Sequence, residues 1–135
     1  MTRDVKVQEI RDTIEDLIKA GTTADLSGLN DIYHDAMKVH LIDTDGNLAQ
    51  ADKPSFIAML KEMIEANAGV DNTWAEYNSI DADGNSGHVL ITRKVTIGGE
   101  RRVLVLSIDL TFEDARWQVV REVIFSRPDV DQTVH

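Results

Sequence analysis

Cysteine is absent from the sequence, which excludes disulfide bonds, thiol catalysis and thiolate metal sites. The four histidines have no paired spacing that would predict a zinc site. Long apolar runs are also absent: none approaches the roughly 20 residues of a membrane-spanning helix, and the N-terminus has no apolar signal core. We therefore expect a cytoplasmic protein with no bound metal, no cofactor and no membrane partner.

Basic residues are scarce relative to acidic ones. The chain has 14 Lys and Arg against 24 Asp and Glu, which gives a formal net charge of −10 at pH 7. Nucleic acids and anionic membranes are bound by basic surfaces, so this balance argues against both as partners. With 135 residues, of which 42% are hydrophobic and 28% charged, the chain has the composition of one ordinary globular domain.

Two acidic turns, 43–47 and 81–85, share the pattern Asp-x-Asp-Gly-Asn, which suggests a calcium loop. With Gly46 or Gly84 as its sixth residue, such a loop would need a bidentate Glu at its last position, where the chain has Asp52 or Leu90. Both segments are therefore predicted to be ordinary Asp-Gly turns. The sequence also has no Gly-rich phosphate loop and no nucleophile elbow.

The region 87–126 is predicted to form three antiparallel strands, because it contains three runs rich in β-branched and aromatic residues. The runs are 89–97, 102–112 and 117–125. Gly98-Gly99 between the first two is typical of a two-residue hairpin, since both glycines tolerate positive φ. This turn sets Ile97 opposite Glu100 and fixes the pairing of the first two strands.

The second hairpin turns at residues 114–115 and sets Phe112 opposite Trp117. Continued without interruption, this register sets Ile108 opposite Arg121. Because side chains alternate between the faces of a sheet, the two registers together predict one nearly uniform apolar face, which is the core side. The opposite face is half-apolar, and we expect it to form the contact of a homodimer.

Three helices are predicted before this sheet. Residues 5–20 have apolar side chains at helical spacing, with Asp4 as the N-cap. A short second helix follows the cap Asp25. Asp52 caps a third helix, with Pro54 tolerated in its first turn.

Two further strands are predicted outside the main sheet region, at Met37–Ile42 and at Trp74–Ile80. We expect a single domain over residues 1–126. Residues 127–135 are polar and are predicted to form a loosely attached tail.

Helices followed by a long antiparallel sheet make an α+β architecture. Short motifs in this order resemble the nuclear transport factor 2-like superfamily, in particular its bacterial SnoaL-like and lumazine-binding-like members. Tyr33-His34-Asp35-Ala36 is similar to the end of the second helix in that family. Asp45-Gly46 and Pro54-Ser55-Phe56 are similar to its acidic turn and to the start of its third helix. Residues 110–120 are similar to its final hairpin. Two positions depart from the pattern: Ala115 replaces the common turn glycine, and no proline separates His34 from Asp35.

The resemblance implies a cone, in which N-terminal helices pack on a curved antiparallel sheet and leave a cavity inside. It also implies dimerisation through the sheet. Members of the superfamily include isomerases, dehydratases, cyclases, binding proteins and non-catalytic partners, so the fold does not decide the function.

Arg93 and Arg121 are the two charges that lie well inside the predicted apolar face. A buried arginine needs a partner, because an uncompensated charge there costs several kcal/mol. One interpretation is that each pairs with a carboxylate or lies at the margin of the sheet. In the other, one of them, in the first place Arg121, faces a cavity and holds an anionic group of a small ligand.

His88 and Asp109 lie directly opposite each other in the first hairpin, on the second face, with Ser107 and Glu122 nearby. A carboxylate beside an imidazole favours its charged form and fixes its tautomer, as in acid–base catalysis. An ordinary cross-strand ion pair has the same residues. His88 and Asp109 are therefore candidate catalytic residues, with a structural role as the alternative.

Tyr33 and Trp74 are candidate ligand contacts. In the resembling family the end of the second helix and the strand after it line the mouth of the cavity, which implies the same for Tyr33, His34 and His40. Trp74 would complete an apolar wall, together with Met59 and Met63. Core packing is the alternative for the aromatic and Met side chains.

We expect a small-molecule-binding protein with a mostly apolar cavity. Two alternatives are an isomerase- or dehydratase-type enzyme that uses a His/carboxylate pair, and a non-catalytic dimeric interaction module. The enzyme predicts a His or carboxylate with a perturbed pKa inside the pocket. The interaction module predicts a filled core and an exposed apolar patch.

Overall fold

The computed structural model of the protein describes residues 2–130. Within these residues the chain forms three helices and six strands. Their bounds are α1 Arg3–Thr22, α2 Leu26–Ile32, β1 Tyr33–Ile42, β2 Leu48–Asp52, α3 Lys53–Ala66, β3 Ala75–Asp83, β4 Ser86–Ile97, β5 Glu100–Glu113 and β6 Arg116–Pro128. The helices pack on one face of the curved sheet, so the predicted α+β cone is confirmed.

Side-chain caps begin all three helices. The carboxylates of Asp25 and Asp52 each accept a backbone N–H from the first turn of α2 and α3 at 3.0 Å, so both predicted caps are confirmed. In α1 the cap is the hydroxyl of Thr2, which accepts the N–H of Val5 at 3.3 Å, and not Asp4 as predicted. Among residues 2–130, no helix has both the length and the apolar composition that crossing a membrane requires.

The sheet has the strand order β2-β1-β6-β5-β4-β3. Neighbouring strands are antiparallel except β1 and β6, which are parallel, so the sheet is mixed and not antiparallel throughout as predicted. The chain leaves β1, forms β2, α3 and the three strands that follow, and only then returns to pair with β1. Parallel strands need such a long crossover, and the sequence patterns gave no sign of this pairing or of β2.

The first hairpin has the predicted register along its whole length. Ile97 lies opposite Glu100 at the glycine turn, and the pairing continues without a shift to Ser86 opposite Thr111. The prediction for this hairpin is therefore confirmed.

The second hairpin contains a bulge in β6 that the predicted register lacks. Leu110 lies opposite Val119 as predicted, but the next pair is Asp109 with Arg121, so Val120 has no partner. One extra residue turns all the following side chains to the other face of the sheet. The predicted faces are therefore wrong from residue 121 onward: the side chains that move away from the helices are Arg121, Val123 and Phe125, and those that move toward them are Glu122 and Ile124.

We call the face of the sheet that the helices cover the inner face. Its side chains join those of the three helices in one apolar core, whose most deeply buried members are Ile10, Ile14, Leu29, Met37, Val39, Val89, Ile91, Ile108 and Val119. The opposite side is the outer face, which carries His88, Leu90, Val105, Ser107, Asp109, Arg121, Val123 and Phe125.

Gly87 on β4 lets α1 approach the inner face closely. A Cβ atom at this position would lie 2.6 Å from Cδ1 of Ile10 and 3.3 Å from the ring of Trp117. Real Cβ atoms do not come this close to a carbon, so the packing of α1 on β4 depends on the missing side chain.

The last strand runs two residues into the predicted tail. Pro128 pairs with Arg102, and Asp129 after it is only 5% exposed. The rest of the predicted tail, 131–135, lies outside the residues that the structure describes.

Candidate functional site

Glu122 is the most unusual side chain of the core. It lies on the inner face of β6 between Val39 and Ile108, and it is only 2% exposed. Burial disfavours the ionised carboxylate and raises the pKa of Glu122 to about 7. Its Oε2 atom is buried and has no hydrogen-bond partner. Buried polar atoms are nearly always paired, and among residues 2–130 the other unpaired side-chain atoms are His40 Nδ1 and Asp129 Oδ1. Of the three, the Glu122 oxygen is the one on the inner face of the sheet, and we take it as the centre of the candidate site.

Tyr33 is the polar neighbour of Glu122. It is the first residue of β1, and it is only 3% exposed. Its hydroxyl lies near the Glu122 carboxylate and favours the ionised form of that group, which partly offsets the effect of burial on its pKa. Burial, and the neighbouring Glu122, raise the pKa of Tyr33, so the phenol keeps its proton. The ring packs edge-to-face on Phe56 of α3, with the centroids 5.6 Å apart, which holds the hydroxyl in place.

Arg93 brings a positive charge to the inner face. Its Nε donates to the carbonyl of Trp74 at 3.0 Å, and its Nη2 donates to the carbonyl of Asn72. Burial lowers the pKa of the Arg93 guanidinium from its usual value, and nearby Tyr77 and Glu122 act in the opposite direction. The positive charge of Arg93 in turn favours the ionised form of Glu122, although burial outweighs it.

Tyr77 and Glu15 extend this polar group from the interior to the surface. The Tyr77 hydroxyl donates to Oε1 of Glu15 at 2.9 Å, and the guanidinium of Arg11 lies 4.3 Å from the centroid of the Tyr77 ring. Partial burial and the Glu15 carboxylate raise the pKa of Tyr77. Side chains of α1, β3, β4, β6 and β1 thus form one polar group around an otherwise apolar interior.

A groove opens at the edge of the sheet near the turn between β1 and β2, and its lining does not include Glu122, Tyr33 or Arg93. It has a volume of about 240 Å³, and its lining residues are Leu41, Ile42, Asp43, Asn47, Leu48, Ala49, Ile124 and Ser126. Ile124 follows Glu122 by two residues and points the same way, so the two side chains leave the strand about 7 Å apart. The groove therefore lies further along β6 than Glu122.

A second, smaller depression of about 150 Å³ lies on the other side of the sheet. It is formed by β1 and β2, and its lining residues are Lys38, His40, Gln50, Ala51 and Asp52. It does not include Glu122, Tyr33 or Arg93.

The structure separates the residues that the sequence analysis singled out. Tyr33 and Arg93 both lie on the inner face beside Glu122. Arg121 does not: it is exposed on the outer face, opposite Asp109, so its predicted orientation toward a cavity is wrong. The bulge at Val120 is the physical reason.

His88 and Asp109 lie opposite each other as predicted. Both are on the outer face, away from Glu122, and the Nε2 atom of His88 is 2.8 Å from Oγ of Ser107. Asp109 also faces Arg121 across the next pair of strands. This cluster lies on the outer face of the sheet, where the backbone N–H groups belong to the strand ladder, so they are not free to form an oxyanion site.

The remaining candidates lie in separate parts of the fold. Trp74 is 45% exposed, and the ammonium of Lys94 lies 5.1 Å from its ring centroid. His34 pairs with Glu113 at 2.5 Å near the base of the sheet, and His40 points to the outer face. Among residues 2–130, no three His, Asp or Glu side chains are grouped in a way that would hold a metal ion.

The sequence analysis missed Glu122 because it placed this residue on the outer face. The adjacent apolar residues Val119 and Val120 interrupt the alternation just before Arg121, where the bulge lies. Successive apolar residues also occur at 103–106 of β5, which pairs with β4 without a shift, so this pattern alone does not identify a bulge.

Solved structures share this fold over nearly the whole chain. A nuclear transport factor 2-like protein of unknown function from Silicibacter pomeroyi is 19% identical with a TM-score of 0.79, and the similarity covers 94% of this chain and 100% of that chain. A second such protein, from Shewanella baltica, is 16% identical with a TM-score of 0.78, over 96% of this chain and 99% of that chain. A protein of unknown function with a cystatin-like fold from Nostoc punctiforme is 12% identical with a TM-score of 0.65, and the similarity covers 90% of this chain and 91% of that chain.

These similarities confirm the nuclear transport factor 2-like fold that the sequence motifs predicted. No protein-family model matches the chain, and no curated protein matches it either. At these identities the neighbours define the fold, and the function has to be argued from the site itself.

Proposed function

We propose that the protein binds a small, mostly apolar molecule on the inner face of the sheet, beside Glu122 and Tyr33. The observation that carries the proposal is the Glu122 carboxyl group, which is buried in an apolar core with one oxygen unpartnered. A buried polar atom without a partner destabilises the fold by about 1–3 kcal/mol. We infer that a ligand supplies the missing partner.

A groove further along β1 and β6, the strands that carry Tyr33 and Glu122, supports the proposal of a small-molecule site. Its walls are mainly apolar side chains of β1, β2 and β6, with a few polar groups at one end. This composition is typical of small-molecule sites, and a volume of about 240 Å³ suits a compact ligand. In this proposal Tyr33 and Arg93 keep the ligand-binding role predicted from the sequence, Glu122 joins them, and Arg121 and Trp74 have no part.

Protein-observed NMR with a library of small apolar fragments tests this function. Fragments that bind are expected to shift the amide resonances around Glu122 and Ile124. Glu122→Leu, which removes the polar contact, is expected to weaken such binding about tenfold, the loss of one buried hydrogen bond to a charged group. Glu76→Leu at an exposed position of β3 is the control and should bind as the wild type does. A library in which no fragment perturbs inner-face residues would contradict the proposal.

A second candidate function is an isomerase- or dehydratase-type enzyme. It is favoured by one observation: with a pKa raised to about 7, Glu122 can accept and donate a proton at neutral pH. The His88–Asp109 pair proposed for this role from the sequence lies on the outer face, so the chemistry would rest on Glu122. Fragments that bind should then exchange carbon-bound hydrogen with D₂O in the presence of the protein but not of its Glu122→Gln variant. Binding without exchange leaves only the binding function.

We also propose that the outer face forms a homodimer contact. A row of apolar side chains crosses four neighbouring strands at Leu48, Ile42, Phe125 and Val105. Leu48 is 55% exposed and Phe125 is 49% exposed. The bulge in β6 turns Val123 and Phe125 to this side, so the outer face is more apolar than the sequence predicted.

This patch also favours the non-catalytic interaction module, which gives no account of Glu122. The cytoplasmic location stays a prediction.

A further inference from the structure

Residues 67–74, all of which the structure describes, join α3 to β3 and run beside the last residues of β4. We call this segment the strap. Each of its side chains is exposed or half-buried, including those of Val70, which is 39% exposed, and Trp74, which is 45% exposed. The strap therefore buries little apolar surface, and polar bonds to β4 hold it in place.

Asn72 stands where a residue of β3 would otherwise pair with β4. The pairing of the two strands begins with Ala75 opposite Arg93, and the same antiparallel register would set Asn72 opposite Thr96. The side-chain amide of Asn72 makes the bonds that a strand makes with its backbone: Nδ2 donates to the Thr96 carbonyl at 3.0 Å, and Oδ1 accepts the Thr96 N–H at 2.8 Å. The backbone of the strap is thus separated from β4 by one side chain.

Arg93 and Asn67 add further bonds of the same kind. The Nε atom of Arg93 donates to the carbonyl of Trp74 at 3.0 Å, and its Nη2 atom donates to the carbonyl of Asn72. At the end of α3, Oδ1 of Asn67 accepts the N–H of Gly98, in the turn between β4 and β5, at 3.1 Å. Each of these bonds joins a side chain to the backbone. We call Asn67, Asn72 and Arg93 the latch.

We propose that the strap opens and closes as a unit over the β4 end of the inner face, and that the latch holds it closed. A hydrogen bond of this kind contributes little net free energy, because water replaces it when it breaks. Segments that bury little apolar surface open at a lower free energy than the core does. The strap therefore opens while the rest of the sheet and α1 stay folded.

Opening uncovers the inner face around Arg93. Val95 lies on the same side of β4 two residues further on and is 6% exposed, and Leu104 lies opposite Arg93 on β5. An open strap gives a small molecule a route to these side chains. In this respect the inference rests on the proposed function, whereas the opening itself is measured without any ligand.

Amide hydrogen exchange of the full chain, followed by NMR, tests the opening. The N–H groups of Thr96 and Gly98 each donate to a side chain of the latch, so both report on it directly. Both are expected to be at least about a hundredfold less protected than the slowest amides of β5 and β6, and their exchange should change little in dilute urea. Exchange of both amides only through global unfolding, with its steep urea dependence, would overturn the proposal.

Variants test whether the strap moves as a unit. Asn72→Ala removes the partner of Thr96, but it should also accelerate exchange at Gly98 about tenfold, although Asn67 is unchanged. Arg93→Met should have the same effect, and Asn72→Ala decides if that variant does not fold. Thr92→Ala is the matched control, since it removes a 2.8 Å bond from β4 to Asn78 of β3 outside the strap and should change neither amide. Acceleration confined to Thr96 would contradict a single moving unit.

A single introduced thiol measures access to the inner face, because the chain has no cysteine. After correction for the free energy of unfolding of each variant, Val95→Cys is expected to react with iodoacetamide at least about a hundredfold faster than Val119→Cys, a fully buried position of β6. Equal rates would overturn the route. A strap that opens in a protein to which no fragment binds would support this inference and remove the proposed function, and fragment binding to a protein whose strap stays closed would do the reverse.

Discussion

Glu122 on β6 lies directly opposite Ile108 on β5, inside the core, at the position that an uninterrupted register gives to Arg121. Glu122 takes this inner position instead of Arg121 because one residue, Val120, is bulged out of the pairing. It gives the interior a carboxyl group whose pKa is raised to about 7. It also turns Phe125 outward, so the bulge defines both the candidate site and the proposed dimer face.

Glu122→Gln is expected to change how the stability of the protein depends on pH. The folded carboxyl has a pKa of about 7 against an ordinary value of 4.5, so the unfolded chain releases this proton first as the pH rises. The contribution of the Glu122 carboxyl group to the free energy of unfolding is fully present below pH 4.5 and is lost progressively up to about pH 7. The wild type should therefore lose about 2–3 kcal/mol more than the variant between pH 5 and pH 8.

Urea unfolding of both proteins at the two pH values measures this difference. Glu76→Gln, at an exposed position of β3, serves as the control and should follow the wild type. Identical pH profiles for the wild type and Glu122→Gln would show that the carboxyl is not held in its neutral form by burial.

Ala115→Gly is expected to stabilise the protein. Asp114 and Ala115 have φ values of 55° and 61° in the turn between β5 and β6, a left-handed region that costs a residue with a Cβ about 1 kcal/mol. Glycine removes this cost, and the free energy of unfolding should rise by about 1 kcal/mol. Ala58→Gly on the exposed side of α3 is the control, and there glycine is expected to lower the free energy of unfolding by about 1 kcal/mol. A loss at both positions would contradict the strain argument.

Phe125→Asp is expected to weaken the proposed dimer without unfolding the subunit. Phe125 is 49% exposed in the apolar row of the outer face, so an aspartate there would be desolvated only in a dimer. Sedimentation equilibrium should show a dissociation constant raised at least about a hundredfold. Met59→Asp on α3, at a residue that is 44% exposed, should leave the association unchanged. A wild-type protein that is monomeric at all concentrations would rule the dimer out.

Gly87→Ala is expected to destabilise the protein by about 1–3 kcal/mol, because the new methyl group would lie 2.6 Å from Cδ1 of Ile10. Ile10→Val removes that atom and alone costs about 0.5–1.5 kcal/mol. In the double variant the two losses should not add: the total should fall short of their sum by about 1 kcal/mol. Simple additivity in urea unfolding would mean that the contact does not limit the packing of α1.

The local parts of the fold were predictable because they depend on residues close together in sequence. Gly98-Gly99 sets the whole register of the first hairpin, and Asp25 and Asp52 cap the helices that follow them. In each case the signal is a side chain or a turn that acts on neighbours within a few residues.

The sequence analysis failed to predict the elements whose pairing partners lie far away in the chain. β2 is a short, exposed strand with no strong pattern of its own, and it forms because β1 is already in place beside it. The parallel pairing of β1 with β6 joins segments about 80 residues apart, which no local pattern encodes.

The candidate site shows the same division. Tyr33 and Arg93 were singled out from the sequence, since an aromatic residue at the end of a helix and a charge on an apolar face are both visible there, and their ligand-binding role stays a prediction. Glu122 was assigned to the wrong face, because a shift of one residue in register reverses every side chain that follows.

By itself, the sequence determined the class of fold, the helix starts and one complete hairpin, because short-range turn and capping chemistry specifies them. Only the tertiary structure decided which side of β6 faces the helices. The bulge at Val120 turns Glu122 to the inner face, where its pKa is raised, and leaves Arg121 outside. The register of the strands decides which side chains lie on which face of a sheet, and beyond a bulge the register is set by packing across strands.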